Sequence, residues 1–332
     1  MGREPLSVLS AITANPDRIE ELEEGVSEAS RQTGRSLSLT VTRDPGEILA
    51  AIPGAHICLT YRLSEEEWRA FRRLEWIHFG AAGVEHSIFP EMLHSEVQIT
   101  LSKGMHGDVM AEYALMAILA LATGLPQSVD AARKGRWIGR DLRPLHHTVS
   151  GKHLLVLGLG HVGLPVARLA ASVGMHVTGV RRTPHEGEPP KGLSAVCTAA
   201  DLDRFLPETD YLLLALPSTP RTRGMITEER LRALRQGAGV VNMARGALMD
   251  EEELLRVLDE GHLRGAVLDC FTTEPLPASS PFWRHPRVLV TPHISGNFDE
   301  YTSRVIGLFL DNLRRFLTGG DLLFPYDRQA GY

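Results

Sequence analysis

The chain has 332 residues, 43% of them hydrophobic and 23% charged, with a formal net charge of −6 and a pI near 6.2. That length holds two domains of ordinary size, and that composition is the one expected of a soluble globular protein. The acidic balance argues against nucleic acid or an anionic membrane as partner, and no apolar run reaches the roughly 18–20 residues of a membrane span. Met1-Gly2-Arg3-Glu4-Pro5 lacks the apolar core of a secretory signal. Cys58, Cys197 and Cys270 are scattered, with neither metal-ligand spacing nor a disulfide framework. The expectation is a cytoplasmic chain without a metal site.

Short apolar runs at 6–12, 37–41, 56–60, 76–79 and 97–100 predict strands, with helices between them at 16–24 and 65–74. Strands alternating with helices predict a parallel sheet covered on both faces. Residues 108–123 predict a helix whose apolar residues wrap most of the way round and which should therefore be buried. A polar, basic stretch follows at 131–150. Further strands are expected at 211–215, 240–242, 266–269 and 288–290, and a last long helix at 301–317. The two halves share one α/β rhythm.

Between those halves, Leu154-Leu155-Val156-Leu157 runs into Gly158-Leu159-Gly160-His161-Val162-Gly163, and 164–173 reads as a helix. Strand, Gly-x-Gly-x-x-Gly and helix is the order that pyrophosphate binding requires. The first glycine permits the tight turn, the second lets backbone approach the phosphates, and the third lets helix and strand pack closely. The helix N-terminus offers N–H groups and a positive dipole end to the anion, with His161 and Val162 at its approach. A second apolar run, 175–180, ends at Arg181-Arg182-Thr183, where an NAD site would place an acidic residue on the ribose 2′-hydroxyl. Two guanidinium groups and a hydroxyl suit a 2′-phosphate. The cofactor expected is NADP(H), with NAD(H) possible.

Three more points of chemistry follow predicted strands: Asn242-Met243-Ala244-Arg245-Gly246, Asp269-Cys270-Phe271-Thr272-Thr273-Glu274-Pro275, and Thr291-Pro292-His293-Ile294-Ser295-Gly296. Ligands of open α/β sheets bind outside the carboxyl ends of the strands, so these loops can converge. They supply a cation, a carboxylate and an imidazole, enough to hold an anionic substrate and move a proton beside a hydride donor. The remaining histidines, including His146 and His147, read mostly as polar loop residues.

With these motifs on the page, the chain resembles a D-isomer-specific 2-hydroxyacid dehydrogenase over nearly its whole length. The resemblance rests on Trp76-Ile77-His78-Phe79-Gly80-Ala81-Ala82-Gly83-Val84-Glu85, Ala111-Glu112-Tyr113, Leu216-Pro217-Ser218-Thr219-Pro220-Arg221-Thr222-Arg223-Gly224, Ala244-Arg245-Gly246-Ala247-Leu248-Met249-Asp250-Glu251, Glu274-Pro275-Leu276 and Thr291-Pro292-His293-Ile294. Among subgroups, the basic end of the second strand is most similar to the NADPH-linked glyoxylate and hydroxypyruvate reductases. The resemblance implies two doubly wound parallel-sheet domains with a cleft between them. A flavodoxin-like substrate domain would take 1–103 and 299–332, and a Rossmann nucleotide domain 104–298. It implies that Arg245 grips the substrate carboxylate, that amides of the Ala81-Ala82-Gly83-Val84 loop (Ala82 and Gly83 foremost) hold it too, and that His293 gives the proton. Glu274 would hydrogen-bond the second ring nitrogen and favour the imidazolium. Leu216, Pro217, Thr222, Met243, Ala244, Asp269 and Gly296 would line the cofactor path, with Asp269 facing the nicotinamide end. A homodimer through the Ala111 helix and the 131–150 stretch is implied as well.

Four departures bear on the substrate. Leu101, Lys103 and His106 stand where relatives commonly carry Asn, Pro and Asn. Lys103 and His106 could meet a second anionic group, the alternative being that they face solvent or cap the helix. Phe79 replaces a frequent Ser and would make the pocket more apolar. Two other functions stay open: a dehydrogenase of a phosphorylated or phosphonate-bearing hydroxyacid, and a dinucleotide-sensing protein similar to the family's corepressors. The short stretch after Leu317 speaks against the latter. Formate dehydrogenases carry Gln at the position of Glu274.

Overall fold

The computed structural model describes residues 4–84 and 86–329, which form two compact units. One comprises the residues up to Met105 together with those from Phe298 onward; the other runs from His106 to Asn297. In chain order the first holds β1 (Leu6–Ser10), α1 (Pro16–Thr33), β2 (Leu37–Val41), α2 (Pro45–Ala51), β3 (Ile57–Thr60), α3 (Glu65–Ala70), β4 (Trp76–Phe79), α4 (Pro90–Leu93) and β5 (Gln98–Leu101). The second holds α5 (Gly107–Ala122), α6 (Leu125–Arg133), α7 (Gly139–Leu142), β6 (His153–Leu157), α8 (Gly163–Ser172), β7 (His176–Arg181), β8 (Ala195–Thr198) and β9 (Tyr211–Leu214). It continues with α9 (Glu228–Ala233), β10 (Gly239–Asn242), α10 (Glu251–Asp259), β11 (Gly265–Leu268) and β12 (Val288–Val290), and α11 (Tyr301–Thr318) returns to the first unit.

The first sheet is parallel throughout, ordered β2-β1-β3-β4-β5. Every residue of β3 and β4 is buried, which is why these strands read as unbroken apolar runs. One face packs Val8, Ile57, Leu59 and Trp76 against α1 and α11; the other packs Leu9, Cys58, Ile77 and Phe79. Phe79 thus belongs to the core, which corrects its expected place in a substrate pocket. Helix α1 runs nine residues past its predicted end, to a left-handed Gly34 (φ 65°). Gly25, inside that helix, is no breaker. A Cβ there would fall 2.1 Å from Leu310 Cδ1, so the missing side chain lets α11 pack close.

The second sheet is also parallel, ordered β12-β11-β10-β9-β6-β7-β8. Counting from β6 as the first strand, this is the 3-2-1-4-5-6 order of dinucleotide-binding sheets with one strand added, and its switch point falls between β6 and β9. Helices α5 and α8 cover one face with Ala111, Ala114, Ile118, Val166 and Ala170. Helix α5 is buried on that face only, since Met116 and Leu119 are each 40% exposed. Strand β8, too short to stand out from the Pro/Gly-rich loop before it, escaped prediction. His147 is not a plain loop residue: its Nε2 lies 2.7 Å from the Tyr211 hydroxyl and its Nδ1 2.7 Å from Arg264 Nη1. Burial and the Arg264 charge push its pKa down to about 4. Among the described residues no single helix is long and apolar enough to cross a membrane.

One polar network sits inside the first core. His78 is fully buried on β4, with Nδ1 2.7 Å from Thr100 Oγ1 and Nε2 3.0 Å from Ser102 Oγ. The Trp76 indole N–H also donates to Thr100 Oγ1, at 2.9 Å. Burial pushes the His78 pKa down to about 3. The unfolded chain therefore takes up this proton first, near pH 6.5, and stability is lost as pH falls below that value. By pH 5 the loss from this group reaches about 2 kcal/mol. In urea unfolding at pH 7 and pH 5, wild type should lose more stability than His78→Gln; equal losses would contradict the assignment.

Candidate active site

The glycine loop is built by close contacts. Gly158 ends β6 at φ 101°, and a Cβ there would lie 2.5 Å from the Ala215 carbonyl oxygen at the end of β9. A Cβ on Gly163 would lie 1.8 Å from the Gly158 carbonyl oxygen. These two glycines close the turn and seat α8 on the strand. Gly160 differs, because a Cβ on it would meet no protein atom within 4 Å. Val162 is the N-cap of α8, and its N–H and that of Gly160 meet no acceptor among the described residues. Open backbone beside Gly160, at a helix start and a sheet switch point, fits a pyrophosphate. His161 is exposed at this turn.

At the end of β7, Arg181 Nη2 donates to Thr183 Oγ1 at 3.1 Å, and Nη1 lies 3.4 Å from His185 Nδ1. His185 Nε2 lies 2.8 Å from the Glu188 carbonyl oxygen, so Nε2 carries the proton and Nδ1 accepts from Arg181. His185 thus helps to orient the guanidinium. Sequence reasoning stopped at Thr183 because nothing in the spacing showed that the loop turns back. Arg182 is exposed next to this group.

The loops after β10, β11 and β12 form one cluster. Asn242, buried at the end of β10, accepts from Ala244 N at 3.1 Å and donates to the Arg245 carbonyl at 3.0 Å, shaping the turn that carries Arg245. A Cβ on Gly246 would lie 2.1 Å from the Phe271 carbonyl carbon, so this glycine brings the Arg245 turn against the 271–274 loop. Arg245 Nη1 donates to the Ala244 carbonyl at 2.7 Å. In that loop Glu274 Oε1 accepts from Phe271 N at 2.9 Å, and Oε2 lies 2.7 Å from His293 Nδ1. A carboxylate only accepts, so Nδ1 carries the donated proton and Nε2 is left for other chemistry. Burial pushes the Cys270 thiol pKa up; Arg245 opposes the shift while Asp269 and Glu274 add to it, marking all three charges as near neighbours.

His293 has a left-handed backbone (φ 53°), a conformation costing about 1–3 kcal/mol in a residue other than glycine. Asp269 holds it there. Its Oδ1 accepts from Thr291 Oγ1 at 2.6 Å and Ile294 N at 2.8 Å, and its Oδ2 from Ser295 N at 2.9 Å. Because Thr291 donates to Asp269, the Tyr113 hydroxyl on α5 must donate to Thr291, over 2.6 Å. Asp269, expected to face the nicotinamide end, is buried with both oxygens engaged by the histidine loop. Asn242, Thr291 and Tyr113 are supports that the sequence displays without distinguishing them from other core polar residues.

The other expected cofactor residues divide. Met243 and Ala244 have buried side chains in the core, so only their backbone remains to face a ligand. Leu216 packs on the core, Pro217 is exposed, and Thr222 Oγ1 donates to the Pro217 carbonyl at 2.7 Å, closing its own loop. Gly296 lies against His106, whose Cδ2 would be 3.0 Å from a Cβ there. His106 is the N-cap residue of α5 but makes no side-chain cap bond; burial lowers its pKa. Burial lowers that of Lys103 too, with Asp327 opposing, so this lysine does not simply face solvent. In the first unit, the N–H groups of Ala81, Ala82, Gly83 and Val84 meet no acceptor among the described residues. Such a run of amides suits a carboxylate. Glu85, last residue of the motif beginning at Trp76, lies outside the described residues. Among those residues no cluster of three His, Cys, Asp or Glu could hold a metal ion.

The two kinds of glycine make separable predictions. Gly160→Ala should leave the thermal unfolding midpoint unchanged and weaken NADPH binding at least about tenfold, since its methyl group meets only the ligand. Gly163→Ala should destabilise the fold itself. Calorimetry and fluorescence titration would check both, and tight NADPH binding by Gly160→Ala would contradict the placement of the pyrophosphate.

Comparison with known proteins agrees with this geometry. A family model described as D-isomer specific 2-hydroxyacid dehydrogenase, NAD binding domain, matches residues 115–295. The glyoxylate reductase of Korarchaeum cryptofilum is 30% identical over 266 residues, covering 79% of this chain and 78% of its own. The glyoxylate/hydroxypyruvate reductase A of Salmonella paratyphi B is 34% identical over 278 residues, covering 80% and 84%. The crystal structure of the NADPH-dependent glyoxylate/hydroxypyruvate reductase of Sinorhizobium meliloti, in complex with NADP and sulfate, superposes with a TM-score of 0.80 at 28% identity, over 98% of this chain and 100% of the other. With its glycine loop, its His293–Glu274 pair and this match over more than half its length, the chain belongs to the D-isomer specific 2-hydroxyacid dehydrogenase family and uses a nicotinamide dinucleotide.

Proposed function

We propose that the chain reduces a small 2-oxoacid of the glyoxylate and hydroxypyruvate class to the D-2-hydroxyacid, with NADPH as the preferred cofactor. The observation that carries this reading is the 2.7 Å pair between His293 Nδ1 and Glu274. It shares a unit with the glycine loop and leaves Nε2 to serve a substrate oxygen. A dinucleotide held at the Gly158–Gly163 loop would supply a hydride for C2 of the acid. His293 Nε2 gives the proton to the 2-oxo oxygen, so that carbonyl, hydride and proton sum to the alcohol. Arg245 holds the carboxylate and polarises the carbonyl beside it, a task for a group that stays charged and binds bidentately. In the first unit, the run of amides at Ala82 and Gly83 is by itself suited to a carboxylate.

The preference for NADPH rests on Arg181, Arg182 and Thr183, with His185 orienting the first guanidinium. The Sinorhizobium relative, named NADPH-dependent, supports it. The alternatives of a phosphorylated or phosphonate substrate and of a corepressor-like sensor are not favoured, because the matched relatives are named as reductases. A homodimer is supported by the exposed apolar side chains of Met116, Leu119, Leu125, Leu145 and above all Trp137, which is 99% exposed. A cytoplasmic setting fits the free, buried thiols of Cys58, Cys197 and Cys270.

The test follows NADPH absorbance with glyoxylate, hydroxypyruvate, pyruvate and phenylpyruvate, repeated with NADH. Turnover of one of the two smallest hydroxylated or aldehydic acids, faster with NADPH, is expected. The combined variant Arg181→Asp, Arg182→Ala should lower kcat/KM for NADPH by at least about tenfold while sparing NADH. No turnover with either dinucleotide would overturn the reductase reading, and unchanged NADPH kinetics in the variant would overturn the cofactor assignment alone.

A further inference from the structure

The 81–84 amide loop after β4 is held from its N-terminal side. Gly80 N donates to the Thr60 carbonyl at 2.8 Å, and the Gly80 carbonyl accepts from the Tyr301 hydroxyl at 2.5 Å. The next carbonyl, that of Ala81, accepts from Ser102 N at 3.1 Å. Each peptide unit is a rigid plane, with its C=O and the following N–H pointing in opposite directions. Fixing the Gly80 oxygen therefore fixes the direction of the Ala81 N–H, and fixing the Ala81 oxygen fixes that of the Ala82 N–H. Ser102 does this with backbone; Tyr301 does it with a side chain.

That side chain is itself confined. The Tyr301 ring stacks on Tyr61, with centroids 6.2 Å apart and planes at 17°, and meets the edge of Phe298 at 5.6 Å. The Arg304 guanidinium lies 4.7 Å over the Phe298 ring. A Cβ on Gly80 would fall 2.6 Å from Tyr61 Cε1 and 3.2 Å from Val305 Cγ1, so the loop approaches this stack as closely as backbone can. Burial, and Tyr61 after it, push the Tyr301 pKa up, so the hydroxyl keeps the proton it donates. A receptor made of neutral amides has no charge to draw its ligand, and its affinity depends on how well the N–H groups are aimed beforehand.

We propose that Tyr301, backed by the Tyr61 ring, is a positioning residue that aims the 81–84 amides at the substrate carboxylate and so sets the KM for the 2-oxoacid. This rests on the carboxylate role assigned to those amides above. Tyr301→Phe removes only the hydroxyl, and Ser303→Ala, which removes a different hydroxyl bond of α11, to Glu21, serves as its control. In Tyr301→Phe, the 15N order parameters of amides 81 and 82 should fall, and KM for glyoxylate should rise by about tenfold, with kcat and the KM for NADPH held within about twofold. Ser303→Ala should show neither change. If Tyr301→Phe does not fold, Gly80→Ala, which drives a methyl group into the Tyr61 ring, should produce the same rise in KM. Order parameters and KM matching those of Ser303→Ala would overturn the proposal, as would lower order parameters with an unchanged KM. A wild-type chain that turns over no 2-oxoacid would sink the reductase reading instead, and the order parameters would still decide whether Tyr301 aims the loop.

Discussion

An imidazole at a protein surface can give a proton from either nitrogen, and it serves a reaction only when one nitrogen is fixed toward the substrate. The hydrogen bond between His293 Nδ1 and Glu274 imposes that choice, and much of the second unit supports it. Glu274 is itself held through Phe271 N, and the Phe271–Thr272 backbone is seated against Gly246. On the other side, Asp269 takes three hydrogen bonds from the segment that carries His293 and keeps its backbone in the left-handed region. The His293–Glu274 pair is exposed, whereas Asp269, Phe271 and Gly246 behind it are buried. That division suits a site whose tip must meet a ligand and whose base must not move.

As proposed above, the anion sites use backbone more than charge. At the glycine loop, two glycines are required by contacts within the protein and the third by what approaches from outside. In the first unit, amides after β4 meet no acceptor among the described residues, while the carbonyls of Gly80 and Ala81 are tied down. Side-chain cations appear where bidentate recognition or lasting charge is needed, at Arg245 and at Arg181. Each of these guanidiniums is steadied by nearby acceptors: the Ala244 carbonyl for Arg245, and Thr183 with His185 for Arg181.

The sequence made the residues at the centre of the candidate site easier to read than those that support them. Gly158, Gly160, Gly163, Arg245, Glu274 and His293 stand in short motifs at strand ends, and such local patterns survive in one dimension. His185, Tyr113, Thr291 and Tyr301 act through partners far along the chain or across a turn that spacing does not reveal. Strands such as β3, β4, β9 and β10, buried at every position, were legible as continuous apolar runs; β8, with only Cys197 buried and a Pro/Gly-rich loop before it, was not. Phe79 was misread because the resemblance places its neighbours Ala81 to Val84 at a site, whereas its own side chain turns into the core. Met243, beside Arg245, also turns its side chain into the core and leaves only its backbone to face a ligand. Adjacency in a motif says nothing about which face of the strand a side chain takes.

The central claim is that His293 and Glu274 act as one proton-donating unit, and a double-variant cycle on kcat tests it most directly. His293→Ala should reduce kcat by at least about 100-fold and Glu274→Ala by at least about tenfold. The double variant should be no slower than His293→Ala alone, because a carboxylate that works only through the imidazole has nothing left to orient. Losses that multiply, or a His293→Ala enzyme that keeps its activity, would contradict the account.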